Sequence, residues 1–248
     1  MKTIEEILRV FDIKRDDLIK SDNLKEEAIA TDAFLPCAEQ ILCNGYFLVN
    51  DEFILDIKSI ELYYHEENGD IKDYVMYHTN NRYTTERTDN VINTLVKRMG
   101  NRLPYFELGT MNIHQSGLDI TFENEEKAYR ASFLIREYRI LKKDDYGKDC
   151  SSAIFDNHST HIFDDLFYLG IPFNKKLNIK WCESDVYSKH KVKQEARVNV
   201  AKDYVRNEKT LVYEKKPANI EDVNERKYFR YGKNYYLKCT REWRFTRQ

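Results

Sequence analysis

From Leu35 onward the chain carries short runs of β-branched and aromatic residues bounded by polar ones, at 45–49, 53–64, 74–78, 117–122 and 129–140. Such runs fit a pleated, half-buried surface, and together they predict the strands of one curved, largely antiparallel sheet. Further strands are expected at 196–200, 210–213 and 235–245. The order of elements predicts an α/β domain of the α+β kind, because no βαβ unit repeats.

Helices are the minority. Ile4, Ile7, Leu8 and Phe11 recur at helical spacing, and a charged second helix is expected over 16–30. These form an expected N-terminal helical extension, 1–34, ahead of one domain over 35–248. Val91, Leu95 and Met99 share a face of a helix predicted over 88–99, and another is predicted over 164–169, ending at Gly170. No Pro/Gly/Ser-rich linker divides the 248 residues, which are enough to bury a core without staples.

The five cysteines, at 37, 43, 150, 182 and 239, are odd in number and lack CxxC spacing. They are expected as reduced thiols in a cytoplasmic, bacterial or phage-type setting. The first residues lack an apolar signal region, and no stretch approaches the about 20 apolar residues of a membrane span.

Net charge is −2, but it is unevenly spread: residues 1–174 hold 20 Lys and Arg against 32 Asp and Glu, and 175–248 hold 20 against 10. The basic third is also rich in Tyr, Phe and Trp. Cations interleaved with rings suit phosphate neutralisation and base stacking; the same pattern fits a basic edge strand whose rings pack inward.

Within the run 53–64, Glu61 and Tyr63 share a strand face because side chains alternate with period two. A carboxylate walled by a ring is suited to general-base work beside a planar substrate; an exposed Glu beside a core Tyr is the plainer alternative. Arg136 closes an apolar strand as half of a charged pair, either a carboxylate or phosphate clamp or a structural salt bridge. His78 and His114 sit at the ends of strand-like segments, where histidines serve in packing as well as catalysis.

Taken in order, these pieces resemble the alkyladenine-type (3-methyladenine) DNA glycosylases. That family carries a Glu-Ala-Tyr strand, an Asp-rich turn ending in His, a Gly-containing strand pair and a Leu-(Ile/Leu)-Arg-Ala strand. Here the order appears as Glu61-Leu62-Tyr63, 70–78, 109–122 and Leu134-Ile135-Arg136, followed by Leu169-Gly170-Ile171, Ala196-Arg197-Val198 and Trp243-Arg244-Phe245. The resemblance spans about 35–248. It implies a monofunctional glycosylase that flips a damaged or modified base from double- or single-stranded DNA and hydrolyses its N-glycosidic bond, without cofactor or metal. Glu61 would activate a water that Arg136 positions, Tyr63 and His78 would sandwich the base, and His114, Gln115 and Ser116 would line the pocket. Arg197, Lys233, Arg241 and Arg244 would grip the backbone.

The family places tyrosines in the strand pair after its Gly-Thr turn, one of them wedged into the duplex. Residues 113–119 here read Ile-His-Gln-Ser-Gly-Leu-Asp. Two other readings stand beside the glycosylase one. His158 and His161 with Asp164 and Asp165 have spacing compatible with a divalent ion, and the scaffold would equally serve a non-catalytic nucleic-acid-binding module.

Overall fold

The structure is a computed structural model that describes residues 2–73, 76, 104–114, 116–148, 152–169, 178–198, 228–231, 234–237 and 241–248. Nine strands form one antiparallel sheet: β1 (Gly45–Val49), β2 (Phe53–Glu66), β3 (Met111–His114), β4 (Gly117–Thr121), β5 (Tyr129–Lys142), β6 (Phe155–His158), β7 (Ile179–Glu183), β8 (Val192–Glu195) and β11 (Arg244–Arg247). The main path runs β3-β4-β5-β2-β1-β7. β6 pairs with β5, and β11 joins β2 to β8. β9 (Tyr228–Tyr231) and β10 (Asn234–Leu237) form a separate hairpin.

The long central pair β2/β5 carries most of the sheet, and its two apolar runs were legible as strands. At its middle the ladder slips twice, between Ile57 and Ser59 and between Ser59 and Ile60, so that Lys58 on one strand and Arg136 on the other have no direct partner. Such bulges turn a strand and re-aim side chains. Here they let Arg136 and its neighbour Glu137 both reach the polar face.

One sheet face is apolar and lies under the helices. α1 (Ile4–Lys20) opens with a capping box, Thr3 accepting from the Glu6 amide while Glu6 accepts from the Thr3 amide. It buries Ile4, Ile7, Leu8, Phe11 and Leu18. A helical turn, α2 (Glu26–Ala28), runs through a π-helical turn (Ile29–Phe34) into α3 (Leu35–Cys43) without a break. The expected extension is therefore a structural layer. Its apolar face joins the same core cluster as Ile60, Leu62, Phe133, Ile135 and Phe245 of the sheet.

Phe11 sits at the centre of that layer, with ring centroids 4.9 Å from Phe122, 5.7 Å from Tyr64, 6.0 Å from Tyr129 and 6.3 Å from Phe34. Phe11→Ala is expected to lower unfolding free energy by about 3–5 kcal/mol in a urea titration. A loss below about 1 kcal/mol would mean that α1 is an appendage after all.

Several expected boundaries are corrected. The first helix continues to Lys20, carried by Leu18 on the same face as Phe11, and does not restart at 16. Of the strand expected at 196–200, residues 196–198 lie outside any strand, with Arg197 buried beyond the end of β8 (Val192–Glu195), and 199–200 lie outside the described residues. The strand expected over 235–245 is two elements, β10 and β11, in different sheets. α4 (Ile162–Tyr168) coincides with the helix expected at 164–169. The segments 74–78, 88–99 and 210–213 lie wholly or almost wholly outside the described residues. Among the described residues no helix is long and apolar enough to cross a membrane.

Candidate active site

The sheet's other face is polar, and strand register decides what it presents. Asp119 on β4 stands opposite Leu134 on β5, which stands opposite Glu61 on β2, which stands opposite Arg244 on β11. Directly opposed residues in an antiparallel sheet point to one side. The next row on this face holds Thr121, Ser132 and Tyr63. Alternating residues Ile60, Leu62, Ile120 and Phe133 point into the core.

Glu61 is fully buried, so its charge must be met from inside the protein. Arg136 Nε lies 3.2 Å from Oε1, and the Val198 amide donates to the same oxygen at 2.8 Å. The Tyr63 hydroxyl donates to Oε2 at 3.1 Å. Among the described residues three donors thus meet a carboxylate that offers about four acceptor directions, leaving one position on Oε2.

Burial, then the adjacent Glu61 charge, push the Tyr63 phenol well above its ordinary pKa, against the pull of Arg197 and Arg136. Tyr63 is therefore a proton donor to Glu61 throughout the neutral range. Arg136 is fixed at three points, donating also to the Val198 carbonyl at 2.7 Å and to Ser159 Oγ at 3.4 Å.

Thus the structure assembles Glu61, Tyr63 and Arg136, three of the residues singled out in the sequence. His114 and Ser116 lie two strands away on the β3/β4 hairpin. His114 Nε2 is 3.1 Å from Asp119 Oδ2, its Nδ1 accepts the Ser116 amide at 3.1 Å, and Ser116 is exposed. His78, Gln115 and Lys233 lie outside the described residues.

The expected backbone grip is corrected at three positions. Arg197 is buried, not on the surface: it pairs with Asp73 at 2.6 Å with both side chains fully buried, and donates to the Leu62 carbonyl at 3.3 Å. Its guanidinium lies 4.8 Å from the centre of the Tyr63 ring and 5.1 Å from that of Trp243, so it braces the wall of the site. Arg241 engages Glu26 and stacks 4.7 Å over Trp243, tying the C-terminal segment to α2. Arg244 donates to Glu137 at 2.6 Å and Ser59 at 3.0 Å. In each case a carboxylate of the chain itself pairs with the cation expected for phosphate.

Asp73, Ser159 and the Val198 backbone were missed. Each is brought in by a distant loop, and nothing local in the sequence marks it. In the candidate metal segment, Asp165 is buried and its Oδ2 already accepts from Tyr138 at 2.6 Å and Asn157 at 2.7 Å. Among the described residues no group of three or more His, Cys, Asp or Glu is gathered as a metal site.

A second buried network flanks the site. Arg130 is shared between Glu123 at 3.1 Å and Glu67 at 2.9 Å, beneath the Tyr105 ring. Burial raises the Glu123 carboxyl to about 7, although Arg130 draws it down. An acid raised in the folded state binds its proton more tightly than in the unfolded chain, so its stabilising effect is complete below pH about 4.5 and is lost as pH rises towards 7. Glu123→Gln is therefore expected to flatten the fall in stability between pH 5 and pH 8, measured as the difference from wild type in urea unfolding. Parallel curves for the two proteins would contradict this.

No protein-family model matches the chain, and no curated protein or solved structure is significantly similar to it.

Proposed function

We propose that the protein is a monofunctional DNA glycosylase acting on a damaged or modified base through the polar sheet face, with the glycosylase-like fold that the motif order implies. The observation that carries the reading is Glu61, a fully buried carboxylate held by Arg136 and Tyr63 with one acceptor position left. A dry carboxylate fixed in this way suits hydrolysis without metal or covalent intermediate.

In the proposed step a flipped nucleotide lies against Tyr63 and a water occupies the open position on Oε2. The water oxygen bonds to the sugar carbon as the carbon–nitrogen bond breaks. The bond's electron pair leaves with the base, a cationic base departing neutral and a neutral one taking a proton from solvent, and the water's proton passes to Glu61. Glu61 also faces the positive charge that develops on the sugar. Arg136, held by Val198 and Ser159, keeps the carboxylate oriented.

One observation favours a second reading, a non-catalytic scaffold: the same three donors that orient Glu61 would serve a purely structural carboxylate. Base release from alkylated, deaminated and hypermodified oligonucleotides, with abasic sites scored by alkaline cleavage, separates the two. Release by the wild type supports the glycosylase, and its absence across the panel supports the scaffold.

A further inference from the structure

The polar face holds a second buried carboxylate that hydrolysis at Glu61 leaves unused. Asp119 and Glu61 flank Leu134 in one row, about two interstrand spacings apart, on the order of 10 Å between backbones. Leu134 is buried yet lies outside the main apolar cluster, so it makes an apolar floor between two acidic walls. The Asp119 charge reaches across this floor: after burial and Glu61, it is among the influences that hold the Tyr63 phenol's pKa up.

Asp119 is 4% exposed. Its Oδ2 accepts from the Ser132 hydroxyl at 3.5 Å and lies 3.1 Å from His114 Nε2. Because His114 Nδ1 accepts the Ser116 amide, a neutral ring carries its proton on Nε2, towards Asp119. The hairpin that sets this geometry is fixed by Gly117, whose φ of 141° and whose closeness to Ser159, 2.9 Å from a notional Cβ, exclude other residues. Asp119 Oδ1, in contrast, is buried and receives no hydrogen bond from the described residues. A buried anionic oxygen without a donor is costly, and a ligand that brings a donor removes the cost.

Building on the glycosylase reading, we infer that Asp119 Oδ1 accepts a hydrogen bond from the base lying over Leu134, so that the site selects bases presenting an N–H there over bases presenting an oxo group. An amino group meets the open oxygen, whereas an oxo group sets two acceptors against each other. Discrimination of this kind is strong because the wrong partner leaves the buried group unpaired.

The test uses oligonucleotides carrying base pairs of substrates that differ by amino against oxo, 7-methyladenine with 7-methylhypoxanthine and 3-methylcytosine with 3-methyluracil, in single-turnover release. Wild type is expected to favour the amino member by at least about tenfold, Asp119→Asn to bring the ratio within about threefold, and Glu61→Gln to slow both members alike. A wild type without the preference, an Asp119→Asn protein that keeps it, or release of other modified bases but neither amino member overturns the inference and leaves the glycosylase standing. Release of no base at all removes both. If Asp119→Asn fails to fold by thermal melting, the wild-type ratio alone decides.

Discussion

Glu61→Gln is expected to slow base release by about 10²–10⁴-fold, the range lost when a positioned proton acceptor is removed. Glutamine matches glutamate in shape and keeps an oxygen for Arg136 and the Val198 amide, but it cannot take a proton from water. Because Arg136 retains the Val198 carbonyl and Ser159, the fold is expected to survive at a cost of about 1–3 kcal/mol. Release within threefold of wild type would remove Glu61 from the chemistry. An unfolded variant would assign Glu61 to stability, and Glu61→Asp would then separate the roles, since it keeps the charge and shortens the reach.

A stability effect as large as that at Phe11 is expected at Asp56, away from the site. Asp56 is fully buried and takes Arg139 at 2.6 Å and Arg247 at 2.8 and 2.9 Å. Tyr187 completes the cluster, accepting from Arg139 at 2.9 Å and lying 3.9 Å beneath the Arg247 guanidinium. Arg247 also donates to the Leu42 carbonyl at 2.7 Å, which ties β11 to the end of α3. Two guanidiniums share this carboxylate, so Asp56→Ala removes a counter-charge from two largely buried cations. A loss of about 3–5 kcal/mol in urea unfolding is expected. Asp56→Asn keeps one acceptor oxygen for the arginines and removes the charge, so it should fall between. Equal, small losses for both would show that water screens the cluster.

The contrast between Asp56 and Glu61 explains how much the sequence disclosed. Strands such as 53–64 and 129–140 were readable because their composition announces a half-buried pleat, and the register that sets Glu61 beside Tyr63 follows from period two alone. β8, with the sequence Val-Lys-Gln-Glu, was not readable: it is a short polar strand whose one sheet partner among the described residues is β11, and it carries no apolar pattern. The arginines show a second limit. Arg197, Arg241 and Arg244 read as phosphate contacts in a basic segment, yet their partners Asp73, Glu26 and Glu137 lie far away in sequence, and only tertiary structure pairs them. Asp119 shows a third. In sequence it stood in the stretch where the family places tyrosines, whereas the sheet buries it in the same row as Glu61.

The bulge at Arg136 belongs to the same lesson. A charged pair at the end of an apolar run was visible, but the slip in register that sends Arg136 to Glu61 and Glu137 to Arg244 was not. The site therefore depends on a local irregularity inside the most regular part of the sheet.

The central claim is that this polar face hydrolyses N-glycosidic bonds, and the most direct test is chromatographic detection of free base. Wild type and Glu61→Gln are incubated with modified duplex and single-stranded oligonucleotides without metal. Release of at least one modified base by the wild type, at least about 100-fold faster than by Glu61→Gln, is the expected result. Intact oligonucleotides throughout, or equal release by the two proteins, would contradict it.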